Sequence, residues 1–403
     1  MTQSETQAPS LELARRMHKL PPYVFGKLNA SKLARRRAGE DIIDLGMGNP
    51  NDPTPQPIVD KLCDAVQDPR NHRYSKSAAG IRNLKKEVAR FYKDQWGVNV
   101  DAEDEVVATI GSKEGISHLS LALIDPNDAA IVPTPAFPPH SHSVSLAGGD
   151  VLSPKLSTDQ SFWPRVEKTI HQSETPPKVL FLNFPHNPST ATVDRSFFET
   201  AVDFAHEHDL FIVHDFAYSH ITFDGYEAPS FLQIDGAKEV GVEFTSMSKS
   251  FNMAGWRVGF CVGNPEAVGA LVRLKAYYDY GLFMPVQIAT IIALRHCLDE
   301  TRKQAKIYQQ RRDVLCEGLE RIGWPVKKPR ATMFVWAPIP EPYKDVDTVD
   351  FAMKTLEEAN VAVAPGGAFG PGGDGYVRLA LVENELRLKQ AVRQLKRNLK
   401  LDS

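Results

Sequence analysis

The segment Ser246-Met247-Ser248-Lys249-Ser250-Phe251-Asn252-Met253-Ala254-Gly255-Trp256-Arg257-Val258-Gly259-Phe260 carries the strongest sequence signal for the fold of this chain. It follows Val242-Glu243-Phe244, a short apolar run that is typical of a strand. Lys249 lies between serines and an apolar segment, and weakly solvating neighbours disfavour the charged form of a lysine. Its amine then becomes a usable nucleophile. The alternative is a serine-rich loop with two solvated cations.

Nucleophilic lysines of this kind form Schiff bases with carbonyl compounds, and pyridoxal phosphate is their commonest carbonyl partner. Ser246, Ser248 and Arg257 would then bind the phosphate, with hydroxyl donors and a planar, permanently charged group. The order Ser-x-Ser-Lys followed by Gly-Trp-Arg-x-Gly resembles the cofactor-lysine signature of the class I/II (fold type I) pyridoxal-phosphate-dependent aminotransferases.

Composition places the chain among ordinary globular proteins. It has 403 residues, of which 42% are hydrophobic and 24% charged, and this length predicts two domains. A net charge of −3 provides no broad basic field for nucleic acid. The four cysteines are far apart and form no Cys-x-x-Cys, which predicts neither a zinc site nor a disulfide framework.

Targeting signals are not expected either. The first residues have no basic region leading into an apolar core, and no apolar run is long enough to span a bilayer. We therefore predict no membrane association and a cytoplasmic protein. Residues 1–10 are polar, and we expect them to be poorly ordered.

Strands alternate with helices through much of the chain. Apolar runs predict strands at 41–45, 106–110, 130–132, 178–183, 210–218 and 258–262, and helical patterns cover 57–67, 81–95, 116–124, 196–208 and 265–278. Such alternation predicts an α/β fold with a mostly parallel sheet and helices on both faces. Its ligands would bind at the carboxyl ends of the strands. Beyond a long helical stretch at 286–322, shorter strands among helices predict a smaller α+β unit.

Two charged residues occur in strand-like segments. Asp215 ends a very apolar run, where a carboxylate is costly unless it is paired. It is either a helix cap or ion-pair partner, or the group that keeps the pyridine nitrogen of the cofactor protonated. Arg378 is either an exposed edge arginine or a bidentate clamp on a substrate α-carboxylate.

Further motifs follow in the order of the same family across nearly the whole chain. The resemblance implies that Lys249 forms the Schiff base and moves the proton between Cα and the C4′ carbon of the cofactor. It implies that Asp215 pairs with the ring nitrogen, and that Tyr218 and Asn187 hold the ring oxygen. The residues that it implies for the phosphate cup are Ser112, Lys113, Ser246, Ser248 and Arg257.

Four more positions match the family pattern. Gly48 matches a backbone contact to the substrate carboxylate, and Arg378 matches its clamp. Tyr74 matches the tyrosine that reaches across a dimer interface into the partner's site. Phe137 would stack on the cofactor ring, where relatives often carry Tyr or Trp, although core packing explains a phenylalanine there nearly as well.

The resemblance also implies an architecture. It predicts the fold type I of pyridoxal-phosphate-dependent transferases, in which a large domain contains a mostly parallel seven-stranded sheet flanked by helices. Residues 1–48 and 300–403 would form the small α+β domain, and residues 49–299 the large cofactor-binding domain. The expected assembly is a homodimer with active sites at the interface.

Substrate specificity is less defined. Stretches such as Leu20-Pro21-Pro22-Tyr23-Val24-Phe25 and Tyr278-Asp279-Tyr280-Gly281 look closest to bacterial glutamate–pyruvate (alanine) aminotransferases. That subgroup implies ping-pong transfer between L-alanine/pyruvate and L-glutamate/2-oxoglutarate. Aminotransferases for other neutral amino acids or diaminopimelate, and a C–S β-lyase, remain alternatives. A non-enzymatic regulator is disfavoured by the intact Lys249 and by the lack of chain for a DNA-binding domain.

Histidines suggest no metal centre. Two pairs have a spacing seen in metal sites, namely His140 with His142 and His206 with His208. Neither pair has an evident third ligand, and the expected chemistry needs no metal. His214 either supports its neighbour Asp215 or points to the other side of the strand.

Overall fold

The computed structural model describes residues 11–20 and 25–401, without the side chain of Phe25. Residues 1–10, which we expected to be poorly ordered, lie outside the described residues. So does most of the motif at 20–25, including Pro21 and Pro22. Among the described residues, no helix combines the length and apolar character that crossing a membrane requires.

The described α-helices follow one another through both halves of the chain. They are α1 Arg15–His18, α2 Phe25–Arg37, α3 Gln56–Gln67, α4 Arg82–Trp96, α5 Ser112–Leu123, α6 Pro138–Ala147, α7 Phe162–Gln172, α8 Arg195–Glu207, α9 Ala237–Val240, α10 Met247–Ser250, α11 Pro265–Tyr278, α12 Met284–His296, α13 Leu298–Arg321, α14 Thr348–Ala359 and α15 Glu385–Asn398.

Strands occupy the intervals between these helices. They are β1 Ile43–Asp44, β2 Val106–Thr109, β3 Ala129–Ile131, β4 Asp150–Leu152, β5 Pro177–Asn183, β6 Phe211–Asp215, β7 Gly241–Ser246, β8 Gly259–Gly263, β9 Phe334–Pro338, β10 Val361–Ala362, β11 Ala364–Pro365 and β12 Tyr376–Ala380.

Seven of these strands form one sheet in the order β2-β8-β7-β6-β5-β3-β4. β8 runs antiparallel to both of its neighbours, and the remaining pairs are parallel. β2, β3, β7 and β8 are buried along their whole length, as expected when helices cover both faces of a sheet. The predicted α/β fold with a mostly parallel seven-stranded sheet is confirmed.

Register brings polar residues together at one edge of the sheet. Asn183 at the end of β5 pairs with Asp215 at the end of β6, and Asp215 pairs with Phe244 of β7. Ser246 ends β7 two residues later. The last residues of three adjacent parallel strands are therefore neighbours, which is the position predicted for ligands of such a sheet.

A second apolar core lies around the three-stranded sheet β11-β12-β9. It includes Leu28 and Leu45 from the N-terminal part of the chain and residues 308–401 from the C-terminal part. Ala217, Tyr218, Ile221 and Phe223 also belong to this core, and the division at 48 and 299 stays a prediction. Lys19, the residue after α1, lies near the seven-stranded sheet instead, because its Nζ is 3.7 Å from Oδ1 of Asp150 in β4.

Several elements differ from the sequence-based expectations. α5 begins at Ser112 rather than near Ile116, so Ser112 and Lys113 belong to its first turn. α6, β4 and α7 were not predicted from the sequence. α6 begins with Pro138-Pro139, which suits a first helical turn but reads as a loop, and β4 has only three residues. The strand expected over 210–218 ends at Asp215.

His214 points away from Asp215, because successive side chains of a strand face opposite sides. Its Nδ1 lies 2.9 Å from Glu243 Oε2, and both side chains are fully buried. The same Glu243 carboxylate accepts hydrogen bonds from Ser230 Oγ and from Phe231 N, each at 2.8 Å. This network joins β6 and β7 to the loop before α9, on the face opposite the candidate site.

Replacing Glu243 by glutamine should destabilise the protein. The glutamine side chain would place an NH2 group where one carboxylate oxygen now accepts hydrogen bonds, and that donor would face other donors. We expect Glu243→Gln to lower the free energy of unfolding by about 2–4 kcal/mol. Glu239→Gln makes the same chemical change at an exposed position and should cost less than about 0.5 kcal/mol. Urea unfolding followed by circular dichroism measures both, and equal midpoints would show that the buried network contributes little.

Candidate active site

Lys249 lies directly after the end of β7, in the short helix α10. Ser246 caps this helix, because its Oγ accepts a hydrogen bond from Ser248 N at 3.2 Å. The cap turns the chain sharply at the sheet edge, so that the lysine side chain projects beside the ends of the strands. Ser246 and Ser248 are both buried there.

The Lys249 amine is surrounded by positive charge. Its Nζ donates to the carbonyl oxygen of Gly48 at 2.7 Å. Burial, followed by the charges of Arg378 and Arg257, lowers the pKa of Lys249 to about 8, although Asp215 acts in the opposite direction. An amine with this pKa is partly neutral near physiological pH, as a nucleophile or a proton acceptor must be.

Gly48 lies where no larger residue fits. A Cβ at this position would lie 2.6 Å from the ring of Phe334. Glycine thus lets the chain pass between Phe334 and the lysine, with a carbonyl oxygen directed at Lys249 Nζ. The predicted close approach of this turn is confirmed, whereas its contact with a substrate stays a prediction.

Arg378 is buried in the middle of β12, which excludes an exposed edge arginine. Its guanidinium lies between two rings, 4.1 Å from the centroid of Phe334 and 4.6 Å from that of Phe369. Nη1 donates to Asn187 Oδ1 at 2.7 Å and Nη2 to Gly46 O at 3.2 Å. Within the described part of the chain, Nε has no hydrogen-bond partner.

Burial lowers the pKa of Arg378 to about 10, so the side chain still carries its charge at neutral pH. The guanidinium thus packs against two aromatic rings, and its described acceptors are an amide oxygen and a carbonyl oxygen. An edge with an unused N–H and no carboxylate partner is suited to a ligand carboxylate.

Asp215 is held by a histidine that the sequence analysis had treated only as a possible metal ligand. His140 Nε2 lies 3.0 Å from Asp215 Oδ2, and both side chains are buried. Oδ1 accepts a hydrogen bond from Ala217 N at 3.2 Å. His140 lies in the first turn of α6, 75 residues before Asp215, and nothing in its local pattern predicts this contact.

Phe137 and Tyr218 lie in the same region. Phe137 precedes α6 and packs edge to face on His140, with ring centroids 5.5 Å apart. Tyr218 packs edge to face on Phe334 at 5.7 Å. Burial and the nearby Asp215 raise the pKa of Tyr218, while Arg378 lowers it, and the phenol stays protonated at neutral pH.

The start of α5 has the features of an anion site. Gly111 has a φ of +75° and leads into Ser112, the first residue of the helix. Arg257 has a φ of +55°, and a Cβ at Gly111 would collide with its guanidinium. A Cβ at Gly259 would lie 2.7 Å from Ser112 N. Two glycines therefore bring an arginine and the free N–H groups of a helix together, an arrangement that binds phosphate groups.

Three predicted site residues, Arg257, Lys113 and Tyr74, are exposed. Lys113 faces solvent in the first turn of α5, and its charge contributes, after burial, to lowering the pKa of His142. Tyr74 is 88% exposed, and its ring contacts Tyr280 at 6.1 Å in an edge-to-face arrangement. It lies on the surface of this chain rather than among the side chains around Lys249.

Comparisons with known proteins agree on one family. The model of the family "Aminotransferase class I and II" matches residues 40–395. The glutamate-pyruvate aminotransferase AlaC of Escherichia coli is 47% identical over 387 residues, which cover 96% of this chain and 94% of that protein. An LL-diaminopimelate aminotransferase of Moorella thermoacetica is 42% identical over 387 residues, with 96% and 98% coverage. The substrate-bound structure of BacF from Bacillus subtilis superimposes with a TM-score of 0.92 at 33% identity and covers 98% of this chain and 100% of that one.

The low pKa of Lys249 predicts a pH dependence. Only the neutral amine attacks a carbonyl, so the rate at which Lys249 of the apoprotein reacts with a small aldehyde should rise with pH. We expect a half-maximal rate near pH 8 instead of near the ordinary lysine value of 10.5. Borohydride trapping and mass spectrometry measure the rate at Lys249, and other lysine peptides of the same digest serve as the internal control. A profile that still rises steeply above pH 10 would contradict the electrostatic environment described.

Proposed function

Because this chain belongs to the class I and II aminotransferases, which use pyridoxal 5′-phosphate, we propose that it exchanges amino groups between L-alanine/pyruvate and L-glutamate/2-oxoglutarate. It is an enzyme that acts on amino acids and 2-oxo acids. The observation that carries the choice of substrates is the 47% identity to the E. coli glutamate-pyruvate aminotransferase across 96% of the chain. Alternating use of the two substrate pairs at one site would make the kinetics ping-pong.

The described residues fit the cofactor. The N–H groups of Ser112 and Lys113 in the first turn of α5 and the Arg257 guanidinium suit a phosphate group, and the depressed pKa of Lys249 suits covalent attachment to an aldehyde. Asp215 offers a buried carboxylate for a ring nitrogen. When bound, pyridoxal phosphate supplies an electron sink for the electron pair that remains when the Cα–H bond of an amino acid breaks.

Arg378 would bind and orient the substrate carboxylate. Among the described residues its Nε has no hydrogen-bond partner. Its two Nη atoms donate to an amide oxygen and to a carbonyl oxygen. A carboxylate is a stronger acceptor for a guanidinium than either of these. The rings of Phe334 and Phe369 keep water from the faces of the cation and prevent its rotation.

Lys249 would move the proton. With a pKa of about 8, its amine could accept the proton from the substrate Cα and hold it for return to the product. Asp215, held by His140 and by Ala217 N, would keep the ring nitrogen protonated. Tyr218 and Asn187 would hold the ring oxygen, and Phe137 would pack on the ring.

LL-Diaminopimelate is the second candidate substrate, since the Moorella thermoacetica relative of that name is 42% identical over 96% of the chain. The homodimer is proposed on the same family grounds, and the exposed ring of Tyr74 is available for a partner's site. The cytoplasmic location stays a prediction.

Half-reactions distinguish these substrates. The purified holoenzyme is mixed with one L-amino acid at a time, without an oxo acid, and its visible spectrum and the released 2-oxo acid are recorded. We expect L-alanine and L-glutamate to convert the cofactor stoichiometrically, with release of pyruvate and 2-oxoglutarate, and LL-diaminopimelate to leave it unchanged. Conversion by diaminopimelate but not by alanine would favour the second candidate, and catalytic release of ammonia or sulfide from cysteine would favour a β-lyase.

Arg378→Ala tests the carboxylate clamp. Loss of a charge-assisted bidentate contact should raise KM for both amino acids by about 10- to 100-fold. Arg273→Ala, an exposed arginine on α11, should leave KM unchanged. Steady-state kinetics at saturating oxo acid measure both variants, and an unchanged KM for Arg378→Ala would place the clamp elsewhere.

A further inference from the structure

A fully buried lysine lies behind the phosphate turn, which we define as Gly111–Lys113. Lys275 is on α11, and its side chain is 0% exposed. Its Nζ lies 3.1 Å from Glu114 Oε1 and 3.0 Å from each carboxylate oxygen of Asp279. One ammonium group therefore bridges two carboxylates from different elements.

The first carboxylate shapes the phosphate turn. Glu114 follows Lys113 in the first turn of α5, and its Oε2 accepts a hydrogen bond from Ile110 N at 2.7 Å. This bond spans the turn from the end of β2 to the helix. Burial acts to raise the pKa of Glu114, but hydrogen bonds from His118 and Ile110 and the charge of Lys275 lower it to about 2. The carboxylate is thus held ionised in one position.

The second carboxylate shapes residues 277–283, the end of α11 and the loop that follows it, which we call the aromatic loop. Asp279 ends α11, and its Oδ1 accepts a hydrogen bond from Gly281 N at 2.8 Å. Gly281 has a φ of +95°, and a Cβ there would lie 3.0 Å from Ser77 O. The loop exposes four rings, those of Tyr277, Tyr278, Tyr280 and Phe283.

The same cluster could be read as a metal site. Ligand atoms of Glu114, His118 and Asp279 lie within 4.8 Å of one another. The Lys275 ammonium, however, already contacts both carboxylates, and a metal ion bound between them would meet its positive charge. The chain itself supplies the cation that these carboxylates need.

We propose that Lys275 is a positioning residue that sets the geometry of the phosphate turn and thereby the affinity for the cofactor phosphate. Without the ammonium, the two partly buried carboxylates of Glu114 and Asp279 lose the cation that they share and repel each other, which is costly. Glu114 then turns toward water and releases Ile110 N, and the turn loses its fixed shape. The inference rests on the proposed binding of the phosphate by this turn.

Two ligands separate a positioning role from a general loss of structure. The dissociation constants of pyridoxal phosphate and of pyridoxal, which lacks the phosphate, are measured on the apoprotein by absorbance titration. We expect Lys275→Ala to weaken pyridoxal phosphate binding by about tenfold or more and pyridoxal binding by less than about twofold. An equal loss for both ligands, or no loss for either, would overturn the proposal.

Further variants keep the test decisive. Lys275→Gln retains a donor but not the charge, and it is used if the alanine variant does not fold; the same difference between the two ligands is expected. Lys238→Ala removes a partly exposed lysine whose Nζ lies 2.9 Å from Glu105, and it should affect neither ligand. Ser112→Ala changes the turn itself. If Ser112→Ala weakens only pyridoxal phosphate binding while Lys275→Ala has no effect, the turn binds the phosphate but Lys275 does not position it. If neither variant changes binding, the phosphate site lies elsewhere.

Discussion

Unbalanced positive charge is the constraint on which the candidate site depends. Burial, and after it the charges of Arg378 and Arg257, lower the pKa of Lys249, and Asp215 is the carboxylate that opposes them. The fold holds these three basic groups near one another although they repel, and the burial of Arg378 and the partial burial of Lys249 weaken the screening by solvent, whereas Arg257 is exposed. Anionic ligands relieve that cost, so the same repulsion that activates the lysine also favours binding of a phosphate and a carboxylate.

The partners of the arginines show which of them are available to a ligand. Arg311 forms a bidentate pair with Asp52, with both N–O distances at 2.8 Å, and Arg312 pairs with Asp224. These side chains are neutralised within the protein and hold segments together. By contrast, among the described residues Arg257 donates to the carbonyl oxygen of Ala254, and Arg378 donates to an amide oxygen and a carbonyl oxygen. Arginines of the second kind keep most of their charge for an incoming anion.

Sequence patterns predicted features that lie within one continuous segment. The surroundings of Lys249 come from its own neighbours in the chain, and the strand pattern before Asp215 reflects burial on both faces of the sheet. Contacts between distant segments left no comparable signal. His140 meets Asp215 only because α6 packs beside the end of β6, and Lys275 reaches Glu114 because α11 packs on α5. The start of α5 was misplaced because Gly-Ser-Lys-Glu reads as a turn, whereas Glu114 bonds back to Ile110 N and extends the helix to Ser112.

The segment that carries Gly48 also connects the lysine to the second core. Thr54 Oγ1 donates to Asn252 O at 2.7 Å, just beyond the lysine, and Asn252 Nδ2 donates to Gln304 Oε1 at 2.9 Å on α13. Gln304 and Arg311 of the same helix both hold Asp52. Gly48 O, the acceptor of Lys249 Nζ, thus belongs to a segment fixed to α13, while Arg378 lies on β12 of the second core. A ligand held by Lys249 and Arg378 together would therefore span the two cores, and its binding energy would depend on how α13 positions one relative to the other.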